Sequence, residues 1–361
     1  MSVANRALNI VFSGGEFNSV AFIGAYEELE KKYSILGNIA GVSTGALAAA
    51  LIGAGYCAKE LIELLKEIDF NSFKLREDKY LNISIADRIG NLTENKKIFN
   101  DNDIFTLLHK QDYPELALVE RDNQDFKGTR GNFLINLIAF SIKNAFISGE
   151  LFEKWVAKLL AKKGIHTFND FRGGIADKVN PRGYKVRMTA VDANMGKVIV
   201  LPDDIALYNI EPDKLEVARA VRMSMGLPFI FEPVRQIKKE NNCVKLHYII
   251  DGGVLDNFPV WLIDSTQVNI IIGLKLIGKC PKDLLKEESM LKKLLSVSHD
   301  TGVPKNSYNI DNIAHIITGN QSIFNFDTTE NEVQFLYNQG KTSVKKLLYG
   351  MQKKNQGWRV F

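Results

Sequence analysis

Two short glycine motifs place a serine and an aspartate in settings that suit ester hydrolysis. Ser43 is the centre of Gly41-Val42-Ser43-Thr44-Gly45, which fits the G-x-S-x-G pattern of a nucleophile elbow. Such a strand-to-helix turn exposes the serine oxygen, and the N-terminus of the following helix favours negative charge. The alternative is a plain Gly/Ser turn, because the pattern also arises by chance. We predict that Ser43 is a nucleophile and that Gly41 and Gly45 shape its turn.

The aspartate begins the motif Asp251-Gly252-Gly253, directly after an apolar run that predicts a strand. A carboxylate at the end of a parallel strand lies at the edge of the sheet where α/β proteins place their active sites. The structural alternative is an Asx turn followed by glycine. A carboxylate can act as a general base by itself when burial raises its pKa. Asp251 is therefore the candidate base, with Gly252 and Gly253 completing the motif.

The five histidines offer Ser43 no well-placed base. His247 precedes Asp251 by four residues on the same predicted strand, about 13 Å along it, which is too far for a relay between the two. The other four lie in polar segments and in the C-terminal tail: His109, His166, His299 and His315. A Ser–Asp dyad therefore fits the sequence better than a Ser–His–Asp triad. The triad stays open as an alternative that requires His299 or His315.

A third motif, Ser-Gly-Gly-Glu-Phe-Asn-Ser at residues 13–19, lies between a predicted strand and a predicted helix. Glycine N–H groups at such a turn can point at an anion, and in a hydrolase they would hold the oxyanion of a tetrahedral intermediate. A tight turn or a phosphate loop is the alternative, although the P-loop and dinucleotide patterns are both missing. We predict an oxyanion hole formed by the backbone N–H groups of Gly14, Gly15 and Glu16.

The elements around these motifs alternate between strand and helix. Residues 7–12 and 39–42 read as strands, and each is followed by a turn and a helix, which predicts a parallel α/β sheet. Further strands are predicted at residues 186–191, 198–201, 247–250 and 269–276, and further helices at 150–162, 215–225 and 334–348. No repeat or low-complexity linker divides the chain, so residues 1–361 are predicted to form a single domain.

Two segments depart from this alternation. Residues 69–143 are rich in Asn, Asp, Lys and Arg, and we predict that they form an insertion or lid of short helices. The apolar run at 133–146 ends this lid, and it reads either as a core-facing helix or as a contact for acyl chains. Residues 280–361 are rich in lysine and are predicted to form a helical C-terminal extension packed on the domain.

Taken in order, the motifs resemble those of the patatin-like phospholipases. Residues 191–197 are similar to the family's Thr-Asp-x-x-x-Gly turn, and residues 218–233 to its Ala-Ser-x-x-x-Pro-x-x-Phe-x-Pro stretch. The last glycine motif, at residues 251–259, is similar to the family's Asp-Gly-Gly-x-x-x-Asn-x-Pro motif. The resemblance covers about residues 7–60 and 145–275 and, more loosely, 326–348.

This resemblance implies a three-layer α/β fold with a central, mostly parallel sheet and an inserted helical lid. It also implies that Ser43 is the nucleophile and Asp251 the base of a dyad. The expected activity is that of a phospholipase A-type serine hydrolase, which cleaves fatty acyl esters through an acyl-enzyme without a cofactor or metal.

The predicted oxyanion loop departs from the family pattern Gly-Gly-Gly-x-Arg/Lys-Gly, because this chain has Glu16, Asn18 and Ser19 at the third, fifth and sixth positions. A glutamate at positive φ would be strained, and its carboxylate would disfavour an oxyanion if it pointed inward. The departure favours an alternative function, that of a catalytically impaired protein of the same fold that binds lipid or another partner.

Composition narrows the remaining classes. The 361 residues hold 46 Lys and Arg against 42 Asp and Glu, a net charge of +4, which argues against a nucleic-acid binder. Three cysteines are too few for a disulfide framework or a zinc cluster. We expect no signal peptide or transmembrane segment. The expected substrate is a phospholipid or other acyl-ester lipid. We expect the protein to be in the cytoplasm or a host cytosol and to associate transiently with a membrane surface. A protein activator is compatible with this setting.

Overall fold

The computed structural model describes residues 7–67, 70–73, 145, 147–228, 230–240, 243–263, 270–278, 312–319 and 329–357. The strands in these ranges are β1 (Leu8–Phe12), β2 (Leu36–Val42), β3 (Val186–Asp192), β4 (Lys197–Leu201), β5 (Val234–Glu240), β6 (Cys243–Asp251), β7 (Ile270–Gly278) and β8 (Ile313–Gly319). The α-helices are α1 (Val20–Glu30), α2 (Thr44–Gly53), α3 (Ala58–Glu67), α4 (Gly149–Ala161), α5 (Val217–Ser224) and α6 (Glu330–Gly357).

The described strands form one mixed sheet in the order β5-β6-β3-β2-β1-β7-β8, with β4 paired to β3. The pairings that join β3, β2, β1, β7 and β8 are parallel, whereas β4, β5 and β6 are attached in antiparallel pairs. Asp251 therefore ends an antiparallel strand, not the parallel strand that was expected. Helices flank this sheet, and the predicted α/β class is confirmed. The parallel part follows from the short apolar strands alternating with helices at the start of the chain.

The register of the sheet brings two distant parts of the chain to the same level. Strand β3 lies between β2 and β6, with Val42 of β2 opposite Thr189 of β3. On the other side of β3, Asp251 at the end of β6 lies opposite Ala190. Ser43, which follows Val42 directly, and Asp251 therefore flank β3 near neighbouring positions of that strand.

Helix α4 illustrates how local sequence sets an element that later borders the site. It begins after Ser148, whose side chain accepts a hydrogen bond from the Leu151 N–H at 3.2 Å and so caps the helix. Its buried residues recur at helical spacing and face the core: Phe152, Val156, Leu159 and Leu160. The amphipathic helix predicted at residues 150–162 is thereby confirmed.

The C-terminal segment differs from the all-helical extension expected over residues 280–361. Residues 313–319 form β8, which pairs in parallel with β7. Buried Ala314 and Ile316 alternate with exposed His315 and Ile317, which is the two-residue period of a strand. Helix α6 then covers the predicted helix at residues 334–348.

The lid predicted at residues 69–143 lies outside the described residues, apart from a short 3-10 helix at Phe70–Phe73. The division of residues 1–361 into one domain with a lid and an extension stays a prediction. None of the helices in the described ranges is long and apolar enough to cross a bilayer.

Candidate active site

Ser43 occupies a strained turn between β2 and α2. Its backbone has φ 56° and ψ −129°, a conformation that residues with a side chain rarely adopt outside functional sites. The turn also brings main chains into close contact, because a Cβ at Gly41 would lie 2.2 Å from the Gly45 carbonyl oxygen and a Cβ at Gly45 would lie 2.4 Å from the Ser13 oxygen. Glycine is required at both positions, and the geometry is that of the predicted elbow.

A buried serine holds this turn from the side of β3. The Ser43 N–H donates to Ser224 Oγ at 3.0 Å, and the Ser224 hydroxyl donates to the Thr189 carbonyl oxygen at 2.7 Å. Ser224 is the last residue of α5 and is 0% exposed. Ser224 is not among the residues predicted from the sequence, although it lies inside the segment at 218–233 that resembles the family motif. Its position links the candidate nucleophile to the central strand.

We predict that Ser224→Ala lowers the free energy of unfolding by about 1–3 kcal/mol, because it leaves the Ser43 N–H without its acceptor. It should also lower kcat/KM for ester hydrolysis, since the turn loses its anchor. Ser148→Ala is the matched control, because it removes a serine hydrogen bond at the start of α4. Urea unfolding and ester kinetics on both variants check this. Ser148→Ala should lose stability but keep its kcat/KM. If Ser224→Ala behaves in the same way, Ser224 does not position Ser43.

Asp251 is buried at the end of β6, with 1% of its surface exposed. Its Oδ1 accepts a hydrogen bond from the Gly253 N–H at 2.7 Å, and its Oδ2 is enclosed without a hydrogen-bond partner in the described part of the chain. Burial raises the pKa of Asp251 to about 7, although the nearby Ser43 hydroxyl and the Gly253 N–H act in the opposite direction. The structure therefore brings Ser43 and Asp251 together, and the carboxyl is poised to exchange a proton near neutral pH.

None of the histidines in the described ranges is a partner of Ser43 or Asp251. His247 is buried, and its Nδ1 lies 2.6 Å from Asp192 Oδ2. His166 and His315 are exposed, and neither hydrogen-bonds to Ser43 or Asp251. The remaining two, His109 and His299, lie outside the described residues. Within the same ranges, no three His, Cys, Asp or Glu side chains are grouped as metal ligands would be.

The predicted oxyanion loop requires one correction. The Gly14 N–H donates to the Asn257 carbonyl oxygen at 3.0 Å, so it is used within the fold and is not free to bind an oxyanion. Gly15 has an extended backbone, and its N–H makes no hydrogen bond within the described ranges. Glu16 begins a 3-10 helix over Glu16–Ser19, a conformation with negative φ, so the expected strain of a glutamate at positive φ does not arise.

A second backbone N–H group without a hydrogen-bond acceptor in the described chain lies at the start of α2. The first N–H groups of a helix have no partner within it. The N–H groups of Ala46 and Leu47 bond to the Ser43 carbonyl oxygen, whereas the Thr44 N–H makes no hydrogen bond in the described chain. Thr44 is not among the oxyanion donors predicted from the sequence. The elbow motif itself contains the signal, because α/β-hydrolases use the N–H after the nucleophile in this role. Gly15 and Thr44 are thus the candidate oxyanion donors.

An apolar cavity opens beside the Ser43 turn. Its cavity volume is about 50 Å³, it is open to solvent, and its walls come from α1, α2, α3 and α4. We call it the α2 slot, because one face of α2 lines it at helical spacing with Thr44, Leu47, Ala48, Leu51 and Ile52. Of the described residues that line the slot, Ser19 and Thr44 are the polar ones.

Comparisons with known proteins agree with the order of the motifs. Residues 10–264 match a family model described as "Patatin-like phospholipase". The uncharacterized protein YqhO of Bacillus subtilis is 32% identical over 266 residues, which cover 74% of this chain and 70% of YqhO. The probable lipid hydrolase 463L of Invertebrate iridescent virus 6 is 25% identical over 252 residues, which cover 70% of this chain and 61% of the viral protein.

Among solved structures, similarity extends to two bacterial proteins. VipD from Legionella pneumophila aligns with a TM-score of 0.48 and 18% identity, over 96% of this chain and 67% of VipD. The type III effector ExoU aligns with a TM-score of 0.41 and 17% identity, over 96% of this chain and 53% of ExoU. The aligned regions thus span less than two thirds of both ExoU and the viral protein.

Proposed function

Because this chain belongs to the patatin-like phospholipase family, we propose that it is a serine acyl hydrolase that cleaves fatty acyl esters of lipids with a Ser43–Asp251 dyad. The family supports lipid hydrolysis in general, and the dyad is the finer part of the proposal. One observation carries it. The serine of a strained elbow lies beside a fully buried carboxyl group whose pKa is raised to about 7.

In the proposed reaction, Asp251 accepts the proton of the Ser43 hydroxyl while Ser43 Oγ attacks the ester carbonyl carbon. The tetrahedral intermediate collapses, the bond to the leaving alcohol breaks, and Asp251 returns the proton to that alcohol. Water then attacks the acyl-enzyme with Asp251 again as base, which releases the fatty acid and restores Ser43. The N–H groups of Gly15 and Thr44 would hold the negative charge that develops on the carbonyl oxygen.

The surroundings of the dyad support a carboxylate acting without histidine. Within the described ranges, burial raises the pKa of Asp251, while the Ser43 hydroxyl and the Gly253 N–H lower it and no cation contributes. The N-terminus of α2 points at Ser43, and its dipole favours the negative charge that arises when Ser43 loses its proton.

The α2 slot supports a lipid as the substrate, because its lining is apolar beyond Ser19 and Thr44. We therefore propose a phospholipid or another acyl-ester lipid, cleaved in the manner of a phospholipase A. Such lipids lie in membranes, so the proposal includes transient contact with a membrane surface, in the cytoplasm or in the cytosol of a host cell.

A fluorophosphonate probe tests the proposal, since it forms a covalent bond with activated serines. We expect one labelled peptide, containing Ser43, in the wild-type protein and none in Ser43→Ala. Ser224→Ala should label more slowly, because its turn is less firmly held. Rapid labelling of Ser43→Ala would contradict the role of Ser43.

The departure of the loop at Glu16, Asn18 and Ser19 and the occupied Gly14 N–H favour a second candidate, a catalytically impaired protein that binds lipid. This candidate predicts that folded wild-type protein binds phospholipid vesicles, is not labelled by the probe and does not hydrolyse a panel of esters.

A further inference from the structure

The α2 slot has a defined direction. Its lining residues on α2 follow the spacing i, i+3, i+4, i+7 and i+8 from Thr44, so the slot runs along the axis of the helix away from Ser43. Thr44 is the residue after Ser43, and Leu51 lies about 10 Å further along at 1.5 Å per residue. The rest of the lining comes from two apolar residues of α1, three leucines of α3, and Trp155 and Leu159 of α4.

The polarity of the slot changes along this direction. Its polar residues, Ser19 and Thr44, lie where α1 and α2 begin, beside the Ser43 turn. Thr44 is 5% exposed, and its Oγ1 is buried without a hydrogen-bond partner in the described chain. An unsatisfied buried hydroxyl is costly, so a ligand with an oxygen atom at this end would gain a hydrogen bond there. The rest of the lining offers only apolar contact.

We propose that the α2 slot binds the acyl chain of the ester, and that the small side chain of Ala48 leaves the slot open to long chains; this rests on the proposed function. The ester oxygens lie at the Ser43 end, within reach of the Thr44 hydroxyl, and the hydrocarbon extends along α2. Ala48 is the smallest side chain of the α2 stripe and stands about 6 Å along the axis from Thr44. It is partly exposed, as expected of a residue that faces an open slot.

A larger side chain at residue 48 tests the proposal through chain-length preference. In Ala48→Trp, we expect the ratio of kcat/KM for p-nitrophenyl palmitate to that for p-nitrophenyl butyrate to fall at least about tenfold, since the outer methylenes lose their contacts. Ala48→Leu should lower this ratio by a smaller factor, and it replaces Ala48→Trp in the test if the tryptophan variant does not fold. The control is Ala157→Trp on the exposed face of α4, which should keep the wild-type ratio.

A binding measurement separates this proposal from the proposed catalysis. Ser43→Ala should bind the fluorescent fatty acid 11-(dansylamino)undecanoic acid, and Ser43→Ala with Ala48→Leu should bind it at least about tenfold more weakly. Equal affinities, together with unchanged chain-length ratios, would overturn the slot assignment even if the enzyme is active. Weakened binding in a protein without ester hydrolysis would support the slot and contradict the proposed catalysis.

Discussion

Ser43→Ala and Asp251→Asn should each lower kcat for ester hydrolysis by about a thousandfold or more, because the two groups act as one unit. Without Ser43 no acyl-enzyme forms. With asparagine at residue 251, the buried group that faces Ser43 can no longer accept its proton. The double variant should be no slower than the slower single variant, since each change already disables the same step. Hydrolysis of a short-chain ester, followed at pH 8, measures all three.

Other carboxylate and histidine side chains of this protein provide the controls for these rates. Asp213→Asn removes a carboxylate that pairs with Arg172 at 2.8 Å, far along the chain from either dyad residue, and it should leave kcat unchanged. Replacing His299 or His315 tests the triad alternative. Loss of activity in one of these histidine variants would replace the dyad with a triad, and an unchanged rate in both would remove the triad.

Asp251→Asn should also stabilise the fold at alkaline pH. Burial raises the folded-state pKa of Asp251 to about 7, whereas an unfolded aspartate titrates near 3.9. The folded protein therefore binds the proton more tightly, and wild-type stability falls as the pH rises from about 4 through 7. Between pH 5 and pH 8, the stability of the variant relative to wild type should grow by about 3 kcal/mol, because about two of the three units that separate the two pKa values lie in this interval. Urea unfolding at pH 5 and pH 8 measures the difference.

Ser43→Ala should move stability in the opposite direction. The Ser43 hydroxyl lowers the pKa of Asp251, so its loss makes the ionised carboxyl less favourable and weakens the fold above pH 7. Activity should follow the same ionisation, with kcat/KM rising through about pH 7 as Asp251 becomes a base. If Asp251→Asn and wild type have parallel stability profiles between pH 5 and pH 8, the buried carboxyl does not titrate in this range.

The parts of the site that could be predicted depend on residues that are close together in the sequence. The Ser43 elbow depends on Gly41 and Gly45, whose missing side chains let β2, α2 and the Ser13 carbonyl meet. Asp251 could be located because an apolar strand runs directly into its glycines. The alternating strands and helices of the first sixty residues were enough to give the α/β class.

What the sequence could not give depends on partners distant in the chain. Ser224 matters only because α5 ends against Thr189 of β3. The use of the Gly14 N–H depends on where the Asn257 carbonyl falls. Strand β5 was missed because its charged residues hide the two-residue period, and β8 because its neighbouring segments are rich in lysine and read as helix. In each case tertiary pairing decided between local alternatives.

The position of β3 between β2 and β6 has a consequence for the cell that makes this protein. During synthesis Ser43 is made first, and the strand that ends at Asp251 follows about two hundred residues later. Under the proposed mechanism, Ser43 has no proton acceptor until β6 pairs with β3. An enzyme built in this order would stay inactive during its synthesis and would not act on lipids before the chain has folded.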